Sequence, residues 1–178
     1  MKEENKEEAK LREGNISLVL NAYQDIFSDF DPRDYSEKSL SDDFLAECQR
    51  AARDKGTGFE LRLLMPKHKR NIIEETKIKK RLKTHFQKHF KEIEKEINKI
   101  KREGLMWFFL GAIILVMEGF ILQRTEFIFK FLIIIGQPAS WFLFWEGLGK
   151  IFIESKKKKP DYEFYKKMSQ ADIYFLNY

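Results

Sequence analysis

The chain has 178 residues and a net charge of +5, which allows one modest domain or two small ones. Its one cysteine, Cys48, excludes a disulfide framework and a cysteine-rich metal site. Residues 1–66 hold 10 basic and 15 acidic residues (net −5), residues 67–103 hold 14 and 6 (net +8), and residues 104–153 are neutral. We therefore expect an acidic head, a basic neck and an apolar block.

The head, residues 1–66, is predicted to be a small α+β domain. Residues 16–20 have the composition of a short strand, and Phe59 to Met65 alternates as a strand that Pro66 ends. Ser39 and Asp42 fit a capping box that opens a helix over residues 41–54. This helix is predicted to cover one face of the sheet, with Cys48 as a packing residue.

An acidic loop, residues 27–36, precedes that helix. Asp29, Asp31 and Asp34 stand close together there, as oxygen ligands of a hard cation do. A calcium loop would also need a glycine at its bend and a later bidentate glutamate, and the sequence has neither. We expect aspartates that cap turns rather than a metal site.

The neck, residues 67–103, contains no proline or glycine from Asn71 to Glu103 and predicts one long helix. Its apolar residues follow the alternating spacing of four and three that is typical of a heptad seam. They are Phe86, Phe90, Ile93, Ile97 and Ile100.

The block at residues 104–153 predicts a transmembrane hairpin. Residues 105–122 contain one charge, Glu118, and would span about 27 Å as a helix. After a polar turn at residues 123–126, a second span begins at Phe127 and ends at Trp145 or at Ile153. The earlier end leaves Glu146 in water, and the later end buries it. Gly136 and Pro138 predict a kink in this span.

The charges beside the spans predict the orientation. Lys99, Lys101 and Arg102 precede the first span, and Lys156, Lys157, Lys158 and Lys159 follow the second. Because positive residues collect on the cytosolic side, both termini are expected in the cytosol of a cell with this protein in its inner membrane. The four lysines either bind lipid headgroups or serve as a simple stop-transfer flank.

A heptad repeat continues from the neck into the first span. Ile97, Gly104, Gly111 and Glu118 are each seven residues apart, and small residues allow close helix approach in lipid. The repeat either packs on the second span of the same chain or bundles copies into a homo-oligomer. Lys130 lies at a depth similar to Glu118, so the two form either a salt bridge or part of a polar ring.

The neck also carries a basic cluster that could contact a polyanion such as nucleic acid. The alternative is a solvated or lipid-facing helix surface. The cluster consists of Lys77, Lys79, Lys80, Arg81 and Lys83.

His85 and His89 share a helix face with Glu92, at a spacing that can bind zinc. Phe86 occupies the position where a metalloprotease has its catalytic glutamate, so a solvated basic face is the preferred interpretation. The sequence has no Walker loop and no GxSxG motif, and we predict neither an enzyme nor a cofactor nor a metal site.

The tail, residues 154–178, ends in a strand pattern at residues 171–178. We expect this strand to return to the head and pair with Phe59–Met65.

Three segments carry a resemblance to known sequences. IFSDFDPRDYSEKSLSDDFL (residues 26–45), LRLLMPKHKRN (61–71) and PASWFLFWEGL (138–148) resemble a group of small prokaryotic two-span proteins of uncharacterised function. The likeness covers most of the chain and implies no activity. The layout alone is also similar to membrane effectors of bacterial anti-phage defence, which implies a cytosolic sensing module on a pore-forming hairpin.

Two functions follow as hypotheses. The first is a homo-oligomeric, channel-like membrane effector that its cytosolic part gates. Glu118 would then lie near the axis, because rings of acidic side chains select cations. The alternative is a membrane anchor or adaptor that holds a partner protein at the cytosolic face.

Overall fold

The computed structural model of the chain describes residues 15–53, 60–124 and 126–177, which are mostly helical. The strands are β1 (Ile16–Val19), β2 (Glu60–Met65) and β3 (Asp172–Asn177). The helices are α1 (Asp42–Ala52), α2 (Ile72–Ile121), α3 (Phe127–Gly149), α4 (Ser155–Lys157) and α5 (Lys159–Gln170). Short 3-10 turns lie at Tyr23–Ile26 and Lys67–Lys69, and a π-helical segment at Lys150–Glu154 joins α3 to α4.

The chain divides into two compact units. The first contains the residues up to Phe90 together with those from Glu163 onward, and the second runs from Lys91 to Tyr162. Helices α2 and α5 contribute residues to both units.

The first unit is built on a parallel three-stranded sheet with β2 in the centre. Leu63 pairs with Leu18 of β1 and with Phe175 of β3. Along β2 every second residue is buried, because side chains alternate between the faces of a strand. One face of the sheet is therefore covered, and the other remains accessible.

Three helices supply the covering layer through residues spaced one helical turn apart. Phe44 and Cys48 come from α1, Ile78, Leu82 and Phe86 from α2, and Phe164 and Met168 from α5. These spacings of four place the side chains on one stripe of each helix, which packs against the sheet. Burial raises the pKa of the Cys48 thiol to about 12, as expected for a packing cysteine.

The predicted pairing of the tail strand with β2 is confirmed, and so is a strand at residues 16–19. Both pairings are parallel, with helices between the strands, so this unit has an α/β arrangement rather than the predicted α+β one. Phe59 and Tyr178, the outer residues of two predicted strands, lie outside the described residues, as do residues 1–14 of the head.

The predicted capping box at Ser39 and Asp42 is wrong. Helix α1 begins at Asp42 with Ser41 as its N-cap, and no side chain caps it. Ser39 instead belongs to the preceding loop, because its backbone N–H donates to Asp31 Oδ2 at 2.7 Å.

The second unit contains α3 and the apolar part of α2, the two long apolar helices of the chain. Helix α2 passes through Gly104 without interruption, as predicted from the unbroken register, and α3 passes through Pro138. The chain also stays helical beyond Trp145, through the π-helical segment to Lys157. Both helices are long and apolar enough to cross a membrane, and only 11% and 6% of their most apolar 18-residue windows are buried. A helix in the core of a soluble protein would be mostly buried.

Candidate functional site

The contact between α2 and α3 is made by small residues. Gly104 and Gly111 of α2 are buried against Gly147 and Ser140 of α3. A Cβ atom added to Gly111 would lie 2.7 Å from the Ser140 carbonyl oxygen, and one added to Gly104 would lie 2.9 Å from that of Gly147. These distances are shorter than van der Waals contact, so the two backbones approach this closely only because the side chains are absent.

The half-buried side chain of Glu118 continues this contact. The hydroxyl of Ser140, a fully buried residue, donates to Glu118 Oε2 at 3.2 Å. The other oxygen, Oε1, is buried and has no hydrogen-bond partner among the described residues. Gly136 faces this oxygen, and a Cβ there would clash with it. The absence of a side chain at position 136 thus makes room for the carboxyl.

The heptad repeat predicted as a pore or oligomer seam therefore faces its own chain at three positions. Gly104, Gly111 and Glu118 all contact α3, and Ile97 is half-buried. This is the arrangement that the intramolecular alternative describes. Assembly of several copies remains a prediction.

Of the two predicted arrangements of Lys130, a salt bridge with Glu118 of the same chain and a polar ring between copies, the structure bears on the salt bridge alone. The Lys130 side chain is exposed, and no ion pair joins it to Glu118 within the described part of the chain. The predicted salt bridge is wrong because Ser140 and Gly136 occupy the positions that face the carboxyl.

Ion pairs lie at the charged end of the hairpin. Lys150 Nζ is 3.7 Å from a Glu103 carboxylate oxygen, and Lys158 Nζ is 3.1 Å from one of Glu96. Of the four lysines predicted to meet lipid headgroups, Lys158 is thus engaged within the chain. The other three, Lys156, Lys157 and Lys159, are exposed.

In the first unit, the carboxyl edge of the sheet carries a polar network. Arg70 donates from Nε and Nη2 to the two oxygens of buried Glu75, at 2.7 and 2.9 Å. The Tyr23 hydroxyl donates to the same carboxylate at 3.1 Å, and Arg70 Nη1 donates to Asn177 Oδ1 at 2.7 Å. Burial raises the pKa of Glu75, but the bonds and charge of Arg70 outweigh this and hold the pKa below its usual value.

This network connects residues at or just after the carboxyl ends of the three strands. Ligands of open parallel sheets bind at the carboxyl edge of the strands. Here the strongest polar groups at that edge, Arg70 and Glu75, are bonded to each other. We therefore assign them a structural role, in which they hold β3 and the start of α2 against Tyr23.

The basic cluster of the neck is only partly available to an external anion. Lys77 lies 3.6 Å from Asp34 and 3.4 Å from Glu74, and Arg81 Nε donates to the Lys38 carbonyl oxygen at 2.9 Å. Lys79 Nζ lies 5.8 Å from the centre of the Tyr174 ring. The exposed members are Lys80 and Lys83.

His85 and His89 belong to an aromatic cluster. Their ring centres are 4.3 Å apart, and His89 packs on Tyr165 at 5.3 Å. The predicted solvated basic face is wrong at His85, which is half-buried because α5 covers this side of α2. Burial, followed by the neighbouring His89 and Arg81 charges, lowers the pKa of His85 to about 4. Among the described residues, no group of three His, Cys, Asp or Glu side chains is placed to hold a metal ion.

Two of the three aspartates of the acidic loop, Asp31 and Asp34, form turns, as predicted. Asp31 accepts hydrogen bonds from the Arg33 guanidinium and from the Ser39 backbone, and both the Arg33 and the Ser39 bonds lower its pKa. Asp34 accepts from the backbone N–H and hydroxyl of Ser36. These bonds fix the loop before α1.

The uncovered face of the sheet is a feature that the sequence did not reveal. Val19, Tyr174 and Leu176 are 63%, 43% and 37% exposed on it. Arg62 lies on the same face and pairs with Glu60 at 2.6 Å. Parallel sheets normally have both faces covered, so this apolar surface is unusual.

Sequence reasoning assigned Gly136 only to a kink and missed Ser140 and Gly147, and so missed all three as the small residues of α3 that face α2. Ser140 and Gly147 are seven residues apart, as are Gly104 and Gly111. Two matching small-residue repeats in consecutive spans are the signal that would have predicted the internal contact.

Comparison with protein-family models, with curated proteins and with solved structures found no match.

Proposed function

We propose that this chain is an integral membrane protein whose hairpin anchors a small α/β unit. The observation that carries the proposal is the outward orientation of large apolar side chains on two long helices, such as Phe109, Ile113 and Phe142. In water such a surface would cause aggregation, whereas in lipid it is the expected exterior. The small residues between α2 and α3 allow the hairpin to hold together inside the bilayer.

The charged flanks support one orientation. Lys101 and Arg102 precede the apolar stretch of α2, and Lys156 and Lys157 follow α3, all exposed. Because positive residues stay on the cytosolic side, we place both termini in the cytosol and the hairpin in the inner membrane. The exposed lysines would then lie near anionic headgroups.

The role that best fits the first unit is that of an adaptor for a partner protein. Its uncovered sheet face combines apolar Val19 and Leu176 with Tyr174 and a half-buried Arg62. Tyrosine and arginine around an apolar centre are typical of protein–protein interfaces. Side chains of another protein packed on this face would complete the cover that a parallel sheet usually has.

Anchoring is tested by expressing the full chain and washing membranes with alkaline carbonate. We expect the chain to stay in the membrane pellet, and reporters fused at each end to be active on the cytosolic side. Release of the chain into the carbonate supernatant would overturn the anchor. A periplasmic reporter at one end would overturn the hairpin topology alone.

The adaptor role is tested with a photo-crosslinking amino acid at Val19 or Leu176 in intact membranes. We expect one discrete adduct whose mass exceeds the chain by that of a single partner. The matched control is the same probe at Gln24, which is also exposed but lies off the sheet. No adduct from either sheet position, or equal adducts from Gln24, would contradict the adaptor.

A homo-oligomeric channel is the second candidate, and Glu118 is the observation that favours it. The Oε1 atom of Glu118 has no hydrogen-bond partner among the residues that the structure describes, and a carboxyl so placed inside an apolar hairpin is a feature of ion and proton pathways. This function predicts several copies in the detergent-solubilised complex and membrane depolarisation that Glu118→Ala weakens. Exposed Lys80 and Lys83 would be the residues through which a polyanion gates it. A detergent complex with the mass of one chain would exclude it.

A further inference from the structure

We propose that the charged end of the hairpin is a binding site for anionic phospholipid, and that four cationic side chains there bind its phosphate. They are Lys101 and Arg102 of α2 and Lys156 and Lys157 of α4. This inference rests on the proposed membrane anchor and names the class of lipid that the anchor selects. It goes beyond orientation, because a basic flank can stay in the cytosol without preferring one lipid over another.

The first argument is the absence of internal partners. All four side chains are exposed, and none forms an ion pair within the part of the chain that the structure describes. Three nearby carboxylates are already paired with other lysines. Lys150 Nζ lies 3.7 Å from an oxygen of Glu103 and 3.5 Å from one of Glu154, and Lys158 Nζ lies 3.1 Å from one of Glu96. The four cations therefore remain available to an anion from outside the chain.

The second argument is their position along the hairpin. The pairs Glu96–Lys158 and Glu103–Lys150 set residues 97–102 beside residues 151–157. A helix rises 1.5 Å per residue, so Lys156 and Lys157 lie about 5 Å further from the apolar stretch than the two cations of α2 do. The headgroup layer on each side of a bilayer is roughly 5–8 Å thick. Both levels of positive charge therefore fit within one headgroup layer.

The third argument is the apolar surface beside the cations. Leu105 follows Arg102 by three residues, Ile153 precedes Lys156 by three, and both apolar side chains are exposed. A ligand of this surface must therefore carry a negative charge and an alkyl group within about one helical turn of each other. A phospholipid has its phosphate next to its acyl chains, whereas nucleic acid has no such apolar part. The geometry favours the lipid.

The opposite end of the hairpin lacks these features. Residues 123–130 carry a net charge of +1, from Arg124, Glu126 and Lys130, and no two of the cations are adjacent. At the charged end the cations stand in two adjacent pairs, and each pair can donate several hydrogen bonds to one phosphate. An arginine does so through two parallel bonds. We therefore place the lipid site at the charged end alone.

The test measures which lipid contacts the hairpin. The full chain would be reconstituted in phosphatidylcholine vesicles with increasing fractions of phosphatidylglycerol whose acyl chains are brominated, because bromine quenches nearby tryptophans. All three tryptophans lie on α2 and α3. Brominated phosphatidylcholine gives the reference, and the two quenching curves give the affinity ratio of the anionic to the zwitterionic lipid. We expect a ratio of about five or more, since each basic residue near an anionic surface contributes about fivefold.

Paired variants locate the preference. Lys156→Gln with Lys157→Gln should lower the ratio by about fivefold or bring it close to one, whereas Lys156→Arg with Lys157→Arg should keep it. The matched control is Lys80→Gln with Lys83→Gln, which removes the same charge from exposed positions of the first unit and should leave the ratio unchanged. An equal fall in the control would overturn the site, because the preference would then follow net charge alone.

A gain of preference excludes misfolding as the cause. Glu96→Gln removes the partner of Lys158 and releases a fifth cation at the same end. We expect the affinity ratio to rise by about two- to fivefold. An unchanged or lower ratio would overturn the argument that internal ion pairs decide which cations meet the lipid.

The same vesicles separate this proposal from the anchor. No quenching by brominated phosphatidylcholine would show that the hairpin is not inserted, which overturns the anchor. Quenching by both lipids with a ratio of one would overturn the lipid site and leave the anchor standing. Inorganic phosphate or duplex DNA added at constant ionic strength should not change the ratio. A fall on adding either one would assign the cations to that anion instead of to the lipid.

Discussion

The two units of this chain place their large and small residues in opposite ways. In the first unit Leu61, Leu63 and Phe86 are fully buried, whereas charged side chains such as Lys80 and Lys83 are exposed. In the second unit the buried positions include Gly104 and Ser140, whereas residues such as Phe120 and Phe127 are about four-fifths exposed. The first unit is organised by the removal of apolar surface from water. The hairpin is organised by close backbone contact, which is the driving force expected between helices in the lipid surroundings that we propose for it.

The largest effect is expected from Leu63→Ala at the centre of β2. Removing a fully buried leucine side chain leaves a cavity and should destabilise the first unit by about 2–5 kcal/mol. Hydrogen exchange of the β2 peptides in the detergent-solubilised chain measures this loss. Leu176→Ala, on the uncovered face of the neighbouring strand, is the control and should cost less than half as much. Equal losses would show that the face is covered.

The second prediction concerns close helix contact in the hairpin. Gly111→Ala places a methyl group against the backbone of α3 and should destabilise the α2–α3 contact by about 1–3 kcal/mol. Gly119→Ala is the matched control on the same helix, because nothing lies within 4 Å of the added atom. Tryptophan fluorescence reports thermal separation of the helices, since all three tryptophans lie on them. An equal fall in both variants would contradict packing through Gly111.

The third prediction is a loss of stability in mild acid that originates at His85. Its pKa is about 4 in the folded chain, because burial and the nearby His89 and Arg81 oppose protonation, against about 6.5 when unfolded. The unfolded chain therefore binds the proton first, so stability falls as the pH drops from 6.5 towards 4. His85→Phe keeps a ring in the cluster and should flatten this slope, measured by urea denaturation between pH 7 and pH 4.7.

The control for that measurement is His68→Phe, because His68 is exposed on the 3-10 turn after β2. It should leave the slope unchanged. Keeping the pH above about 4.5 avoids protonation of Glu75, whose lowered pKa makes its contribution disappear only in stronger acid. A slope that persists in His85→Phe would locate the acid sensitivity elsewhere.

The smallest effect on stability is expected from removing exposed charge. Lys80→Ala with Lys83→Ala should change the stability of the first unit by less than about 0.5 kcal/mol. If the neck binds nucleic acid, the pair should still lower the salt dependence of binding by a slope of about 1.8. Fluorescence anisotropy with a labelled DNA duplex measures this slope. The control is Lys156→Ala with Lys157→Ala, which removes the same charge from another exposed site.

Much of this fold was predictable because its signals are local. The apolar runs predicted both long helices, and the alternation in residues 60–65 predicted β2. The heptad repeat of Gly104, Gly111 and Glu118 was also recognised correctly as a contact surface. Its partner was left open between the second span and another copy of the chain, because spacing along one helix identifies a face without identifying what packs on it. Ser140 and Gly136 come from the other helix, and only the three-dimensional contact shows that they exclude Lys130 from Glu118.

The remaining errors arise where a residue farther away in the sequence contacts the residue whose role was predicted. Ser39 looked like a helix cap, but Asp31, eight residues earlier, binds its backbone. His85 was predicted to be solvated, but the ring of Tyr165, which lies 80 residues later in the chain, packs against it. Such long-range contacts leave no local pattern in a single sequence.

The pairing of β2 with β3 has a consequence for the order of biosynthesis. Glu60 pairs with Asp172, so the sheet cannot be completed until both long helices have left the ribosome. Synthesis proceeds at about 5–20 residues per second, so the edge of β2 stays unpaired for roughly 5–20 s until β3 has been made. During that time an open strand edge is available for wrong pairing between nascent chains. Insertion of the hairpin would therefore precede maturation of the α/β unit, and a failure of insertion should appear first as aggregation of its strands.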